Sequence, residues 1–382
     1  MTGMTAHLDM GVEAIRRKIP FWRDWMENEL YDDFWRSMST LGTYDKINVP
    51  IFQQCGWSDA YLGSAMRMYT AMVDGGATDH ARRNQKVLRG PLPHAAPAST
   101  ATGEIDFCPA ANVRVPEVKV RWFDHWLKGI DTGFTAEPPI SLFVMGINQW
   151  RHENEGLLAC TQWTPFHLHR GGRANSLGGD GTLKQDPPGA EKPDHFDYDP
   201  DRPLPSIGKN NSTRTWTEKE EVSIILGPMD QRLIERRDDV LVYTSKPLKQ
   251  ELEVTGPLEL VLYAAPDTDF TVKLVEVFPN GYAMNISEGI LRARYRHDDA
   301  SRELLERGGL DEFRIRMYPT SHVSRTNHRI GVDVSSSNFP RFSRNLDTGE
   351  SVATGTRVQI AHQTVPYSGA YPSHTLLPVI PT

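Results

Sequence analysis

The chain has 382 residues, of which 38% are hydrophobic and 24% charged, and a formal net charge of −7. That length can bury a substantial core and implies at least two domains, while the ordinary globular usage excludes a wholly disordered or fibrous chain. The acidic balance and scattered Lys and Arg offer no basic face to nucleic acid, and no run approaches the roughly 20 apolar residues of a membrane span.

The start, MTGMTAHLDMGVEAIRRKIP, lacks the basic opening and continuous apolar core of a secretory signal, so the expected compartment is the cytoplasm. Cys55, Cys108 and Cys160 are too few and too dispersed for a disulfide framework or a paired CxxC metal site, and read as reduced, buried thiols. In PFWRDWMENELYDDFWRSMS, Trp22, Trp25, Met26, Leu30 and Phe34 fall at helical spacing, which predicts one amphipathic helix whose aromatic stripe packs on a core. A second zone alternates strand and helix. The strand INVPIFQQC leads to a helix with Leu62, Met66, Tyr69 and Val73 on one face, stopped by Gly75 and Gly76. A strand NQKVLRG comes next, then a helix from Pro116 to Gly129 carrying Val118, Trp122 and Trp126 along one side. This order implies a parallel sheet covered by helices.

From about Pro138 the pattern changes to alternation, as in ISLFVMG, LELVLYAA, FTVKLVEVFPNG, FRIRMYP and HRIGVDVSS, with no long helix. Many strands with regular turns suggest a large β-sandwich or jelly roll. ISLFVMG also fits the last strand of the preceding zone, which puts the boundary near residue 155. The chain then divides into residues 1–40, 41–155 and 156–382. No internal repeat occurs, and the only biased stretch is the Gly-, Pro- and Asp-rich Gly171 to Pro205.

Catalytic groups in α/β sheets gather where strands end at their carboxyl side. Asp59, in QQCGWSDAY, holds such a place, and His94, in LRGPLPHAAP, holds the equivalent place after the next strand, 35 residues later. A carboxylate behind a histidine suits nucleophilic hydrolysis, in which the acid fixes the imidazole tautomer and stabilises the imidazolium. On spacing alone the bland reading is stronger: an Asp after a strand is more often a turn former or helix cap, and a lone loop His more often structural. Metal hydrolysis through His80 and His94 has no HxxxH or HExxH pair behind it. In DQRLIERRDD, an alternating-charge solvated face is a better reading than a calcium site.

GWSD (Gly56 to Asp59), GPLPH (Gly90 to His94), RWFDHWLKG, LFVMGINQWR, DQRLIERRDDVLVYTS, VTGPLELVLYAAPDTDFTVKLVEVFPNG, EGILRARYR and SSSNFPRFSRN together resemble the CocE/NonD hydrolases, from about Trp22 to the C-terminal LLPVIP. The resemblance implies an α/β-hydrolase domain with an inserted helical cap, followed by a C-terminal jelly roll. By motif, Asp59 corresponds to the family's catalytic acid and His94 to its catalytic histidine, with a serine nucleophile, no cofactor and no metal. The substrates implied are esters, amides or peptides cleaved after proline, through an acyl-enzyme. Trp57, Ser58 and Leu92, which flank the two catalytic positions, are the candidate pocket residues; the family usually has Tyr where Ser58 stands and Trp where Leu92 stands.

A nucleophile elbow needs Gly-x-Ser-x-Gly at a strand-to-helix turn, and no such motif occurs here. Ser176, in ANSLG, has no strand feeding it, and Ser64 lies inside a helix without the second glycine. In the family the elbow precedes the cap, so residues 1–40 read as a cap remnant and 41–155 as the C-terminal part of the hydrolase domain. Removing the central strands of a parallel sheet would leave INVPIFQQC with an open edge. The expectation is a chain inactive alone, completed by a separate chain bearing the first half or by an upstream start; the alternative is a catalytically silent product whose jelly roll serves as a binding module.

Overall fold

The computed structural model describes residues 20–94, 99–156, 158–210, 214–216, 221–223, 226–265, 268–305 and 309–381. Of the segment read as a cap remnant, residues 1–19 therefore lie outside the described residues. The single N-terminal helix expected from the aromatic stripe is two: α1 (Pro20–Glu27) and α2 (Asp33–Met38). Asp32 is the reason. Its extended backbone starts a new helix, and its carboxylate accepts the Phe34 N–H at 3.0 Å as an N-cap. Of the stripe, Trp25 stays 38% exposed, with its ring 4.6 Å from that of Phe21, while Trp22, Met26, Leu30 and Phe34 are half-buried. Polar contacts help tie this segment to the rest, with Tyr295 donating its hydroxyl to Glu29 and Tyr31 N–H bonded to Asp299 O.

A four-stranded sheet comes next, in the order β1 (Phe52–Ser58), β2 (Lys86–Pro93), β5 (Ile140–Val144) and β6 (Gln149–Glu153). The first three are parallel, as the strand–helix alternation predicts, and β6 turns back antiparallel. ISLFVMG thus belongs to this sheet. Between the strands run α3 (Leu62–Gly75), the short α4 (Asp79–Arg83), a small hairpin of β3 (Ala101–Thr102) and β4 (Ile105–Asp106), and α5 (Val115–Lys128). α3 buries Leu62, Tyr69 and Met72. Val73, expected on that face, is 38% exposed, because Met72 rather than Val73 continues the stripe set by Leu62 and Tyr69. Among the described residues β1 is an end strand, with no partner on its second edge.

β6 ends at Glu153, and β7 (Gln162–His169) begins a second body of strands. The remaining strands are β8 (Gly181–Lys184), β9 (Glu191–Tyr198), β10 (Arg214–Trp216), β11 (Glu221–Ser223), β12 (Leu241–Ser245), β13 (Leu252–Ala264), β14 (Asp269–Val277), β15 (Ala283–Arg292), β16 (Asp311–Ser324), β17 (Arg329–Ser335), β18 (Ala361–Tyr367) and β19 (His374–Ile380). Nine of them close into a barrel-like sheet in the order β12, β17, β14, β15, β16, β13, β19, β7, β8. Alternate residues such as Leu260, Leu262, Val272, Leu274, Val332 and Val334 fill the inside together with Phe270 and Phe313. The only α-helix between these strands among the described residues is one turn, α6 (Arg232–Glu235).

DQRLIERRDD is a solvated face only in part, with Leu233, Arg236 and Asp238 exposed. Gln231, Ile234 and Glu235 are fully buried, because this stretch covers the outer side of β14, β15 and β17. There Lys273 pairs across the strands with Glu288 and Asp333, and its ammonium donates to Gln231 Oε1 at 2.8 Å. Burial and the neighbouring Asp333 charge push the Glu235 carboxyl up to about 9, and burial pushes Asp333 up to about 7. The cysteines differ from expectation too: all three are free, yet only Cys55 is buried, while Cys108 and Cys160 are exposed. No described helix is long and apolar enough to cross a membrane.

The two bodies are joined by main chain. Just past β5, Met145 exchanges backbone hydrogen bonds with β16, at 3.0 Å to Ser321 O and 2.9 Å from Val323 N. Val323 and Tyr318 of β16 complete the apolar cluster beneath the four-stranded sheet.

Candidate active site

Asp59 leaves β1 where the strand gives way to α3, and its two carboxylate oxygens meet different partners. As a turn former it accepts the Tyr61 N–H on Oδ1 at 2.8 Å, while its own N–H bonds Gly56 O and its carbonyl accepts from Leu62 N. Its second oxygen, Oδ2, lies 3.2 Å from Nδ1 of His94. The Asp59 side chain is 12% exposed and that of His94 45%, so a shielded carboxylate meets an imidazole open to the cleft. The Tyr61 ring stands edge-on to the His94 ring at 5.0 Å.

The pair is brought together by an irregularity between β1 and β2. Gly56 faces Gly90, but Ser58 faces Pro93, so β2 carries one extra residue opposite Trp57. Such a bulge bends the strand and re-aims the side chains beyond it, here that of His94. It works only because residue 56 has no side chain: a Cβ there would stand 1.8 Å from Leu92 O.

A cleft of roughly 640 Å³ opens beside the pair, lined by Asp59, Leu92, His94, Gln54 and the N-terminal turn of α5 around Val115 and Pro116. Of the three candidate pocket residues, Leu92 lines this cleft. Trp57 does not; it is 2% exposed in the core under the sheet, with Nε1 donating to Phe143 O at 2.7 Å. Ser58 is likewise buried and does not line the cleft. Trp57 instead packs in the apolar cluster that it shares with Leu62 and Tyr69 of α3. Burial pushes the Cys55 thiol up to about 11, with Arg89 beside it pulling the other way, so Cys55 is no nucleophile. His80 stacks edge-on against Trp126 at 5.1 Å, and no group of His, Cys, Asp or Glu among the described residues could hold a metal.

Two residues that the motifs did not mark reach the Asp59 turn from the barrel side. The Asn210 amide donates to Trp57 O at 3.2 Å and Asp59 O at 2.9 Å, and the Tyr318 hydroxyl donates to Ala60 O at 3.1 Å. Asn210 sits in the polar stretch GKNNS and Tyr318 in a strand, and nothing in either local pattern signals a contact over such sequence distance.

Comparison with known proteins places the chain in a family. Residues 132–376 match the X-Pro dipeptidyl-peptidase C-terminal non-catalytic domain, and residues 3–96 match the X-Pro dipeptidyl-peptidase S15 family. The chain belongs to the CocE/NonD hydrolase family. It is 36% identical to the cocaine esterase of Rhodococcus sp. (strain MB1 Bresler) over 360 residues, covering 91% of this chain and 59% of that protein. It is 24% identical to a putative serine esterase of Mycobacterium bovis, covering 81% of this chain and 48% of the relative. Two solved structures share the fold. An aminopeptidase from the marine sediment archaeon Thaumarchaeota archaeon superposes with a TM-score of 0.82 at 23% identity, over 100% of this chain and 65% of the other. An α-amino-acid ester hydrolase does so with 0.80 at 24%, over 98% and 63%. The chain thus spans between about half and two thirds of the length of these proteins.

Proposed function

We propose that this chain supplies the acid and the base of a CocE/NonD-type serine hydrolase that acts on esters, amides or Xaa-Pro peptides through an acyl-enzyme. The observation that carries the reading is the 3.2 Å contact of His94 Nδ1 with Asp59 Oδ2 at the carboxyl ends of two adjacent parallel strands. In this role Asp59 holds the imidazole in the Nδ1–H tautomer, which leaves Nε2 to take the proton of an attacking serine and to return it to the leaving group. Asp59 also stabilises the imidazolium formed in between.

The serine belongs, in this proposal, to polypeptide outside the 382 residues, since they contain no Gly-x-Ser-x-Gly. The unpaired second edge of β1 among the described residues supports that placement, because a parallel strand with one open edge invites a neighbour. The four-stranded sheet is then the C-terminal part of an α/β-hydrolase domain, α1 and α2 belong to its cap, and the barrel is the jelly roll. The partner is a segment carrying the first half, on a separate chain or on a longer form of this one. A cytoplasmic location is part of the same proposal, supported by three free cysteines.

A fluorophosphonate probe tests the reading. It should leave the 382-residue chain unlabelled, label the nucleophile-bearing segment once the two are combined, and lose that labelling with His94→Ala. Strong labelling of the chain alone would overturn the assignment of the nucleophile elsewhere. No labelling of any combination would favour a silent chain whose barrel is only a binding module.

A further inference from the structure

We propose that Asn210 is a positioning residue for the Asp59–His94 pair, so that the barrel region holds the geometry of a chemistry it does not touch. This rests on the reading of Asp59 and His94 as acid and base. Asn210 is fully buried, and its one NH2 group is aimed at two carbonyl oxygens, Trp57 O and Asp59 O, on either side of Ser58. A carbonyl only accepts, so both contacts require a donor at this position. The segment that presents Asn210 is itself fixed. Gly208 and Lys209 adopt left-handed backbone, at φ of 75° and 60°, and Lys209 exchanges main-chain hydrogen bonds with Gly227. The Asn210 N–H donates to Glu288 Oε1 at 3.2 Å, and Asn338 holds the other oxygen of Glu288 at 2.8 Å.

Tyr318 provides a second support. Arg341 donates to the Tyr318 oxygen at 2.6 Å, which directs the hydroxyl proton toward Ala60 O. Residues 57, 59 and 60 are therefore held by barrel-side groups at three carbonyls, while the same turn bears the carboxylate that orients His94. Without these donors the turn would keep only its local hydrogen bonds, and Oδ2 of Asp59 would lose its fixed distance from the imidazole. An error of about an ångström in such a contact is enough to cost on the order of a hundredfold in rate.

The test uses Asn210→Asp, which keeps the shape but turns an oxygen toward both carbonyls, with Tyr318→Phe as the milder second variant. The deciding measurement needs no catalysis: ring 15N shifts of His94 in the 382-residue chain, at a pH where the ring is neutral, report its tautomer. The expected result is a dominant Nδ1–H form in the parent and a mixture of tautomers in Asn210→Asp, with exchange of the Tyr61 amide faster by roughly tenfold and the β14 and β17 amides unchanged. In the assembly with the nucleophile segment, kcat should fall roughly 10- to 100-fold with KM within about twofold. A folded Asn210→Asp chain with unchanged His94 tautomer and Tyr61 exchange would overturn the proposal. If Asn210→Asp does not fold, Tyr318→Phe decides by the same two readings. An assembly that never hydrolyses would instead count against the hydrolase reading, and the tautomer would still decide the positioning role.

Discussion

Gly56→Ala tests whether the bulge between β1 and β2 sets the site. A Cβ at residue 56 would lie 1.8 Å from Leu92 O and 2.5 Å from Leu92 C, against the 3.0 Å below which real Cβ contacts essentially never fall. Both are backbone atoms, so no side chain can swing away, and the strands must part by about 1.2 Å. Leu92 is two residues before His94, so a displacement of that size lengthens the 3.2 Å contact with Asp59 and weakens or breaks the hydrogen bond. Gly56 is not among the positive-φ glycines, so collision rather than backbone strain is the cost. Overpacking of this kind destabilises by about 1–3 kcal/mol, whereas a harmless Gly-to-Ala change would stabilise by about 0.4–1 kcal/mol. At about 2–4 °C per kcal/mol for a domain of this size, the melting temperature should fall by roughly 2–12 °C. Circular dichroism melts give the first number and His94 15N shifts report the contact. A Gly56→Ala chain as stable as the parent, with the His94 tautomer intact, would refute the reasoning.

Asp59→Asn keeps an oxygen for the Tyr61 N–H and so should fold with an unchanged melting temperature, but its amide faces Nδ1 as a donor and imposes the wrong tautomer; single-turnover acylation of the assembly should slow by roughly 10⁴-fold. Trp57→Phe removes the donor to Phe143 O and leaves that carbonyl unpaired, which should cost about 1–3 kcal/mol in urea unfolding. The Glu235 carboxyl is raised from 4.5 to about 9, so the folded chain holds a proton that the unfolded chain has released, and the associated stability is full below the unfolded value and lost as pH rises toward about 9. Glu235→Gln, which cannot ionise, should therefore flatten the decline in melting temperature between about pH 6 and 9; an equal decline in parent and variant would show that Glu235 does not cause it.

The local order of elements was legible because it depends on period and punctuation. INVPIFQQC, NQKVLRG and ISLFVMG are apolar runs bounded by turn formers, and all three became strands of one sheet. Asp59 and His94 could be placed by the motifs around them. The break at Asp32 is local, but other errors arise because burial is decided by distant chain. DQRLIERRDD has the pattern of a solvated face, yet the fold lays it over Lys273, Glu288 and Asp333 of three separate strands. The aromatic stripe reads as core-facing, yet the fold leaves Trp25 exposed and Trp22, Met26, Leu30 and Phe34 only half-buried.

By itself the sequence determined the order of strands and helices through the four-stranded sheet and set Asp59 and His94 at the ends of neighbouring strands, because these depend on near neighbours and residue type. Only the tertiary structure decided that a bulge against a side-chain-free Gly56 closes Asp59 on His94, and that Trp57 is core while Leu92 lines the cleft. It alone decided that the Asp59 turn hangs on Asn210, 151 residues away. A hydrogen bond across that separation leaves no period in the sequence, since it depends on how distant segments meet.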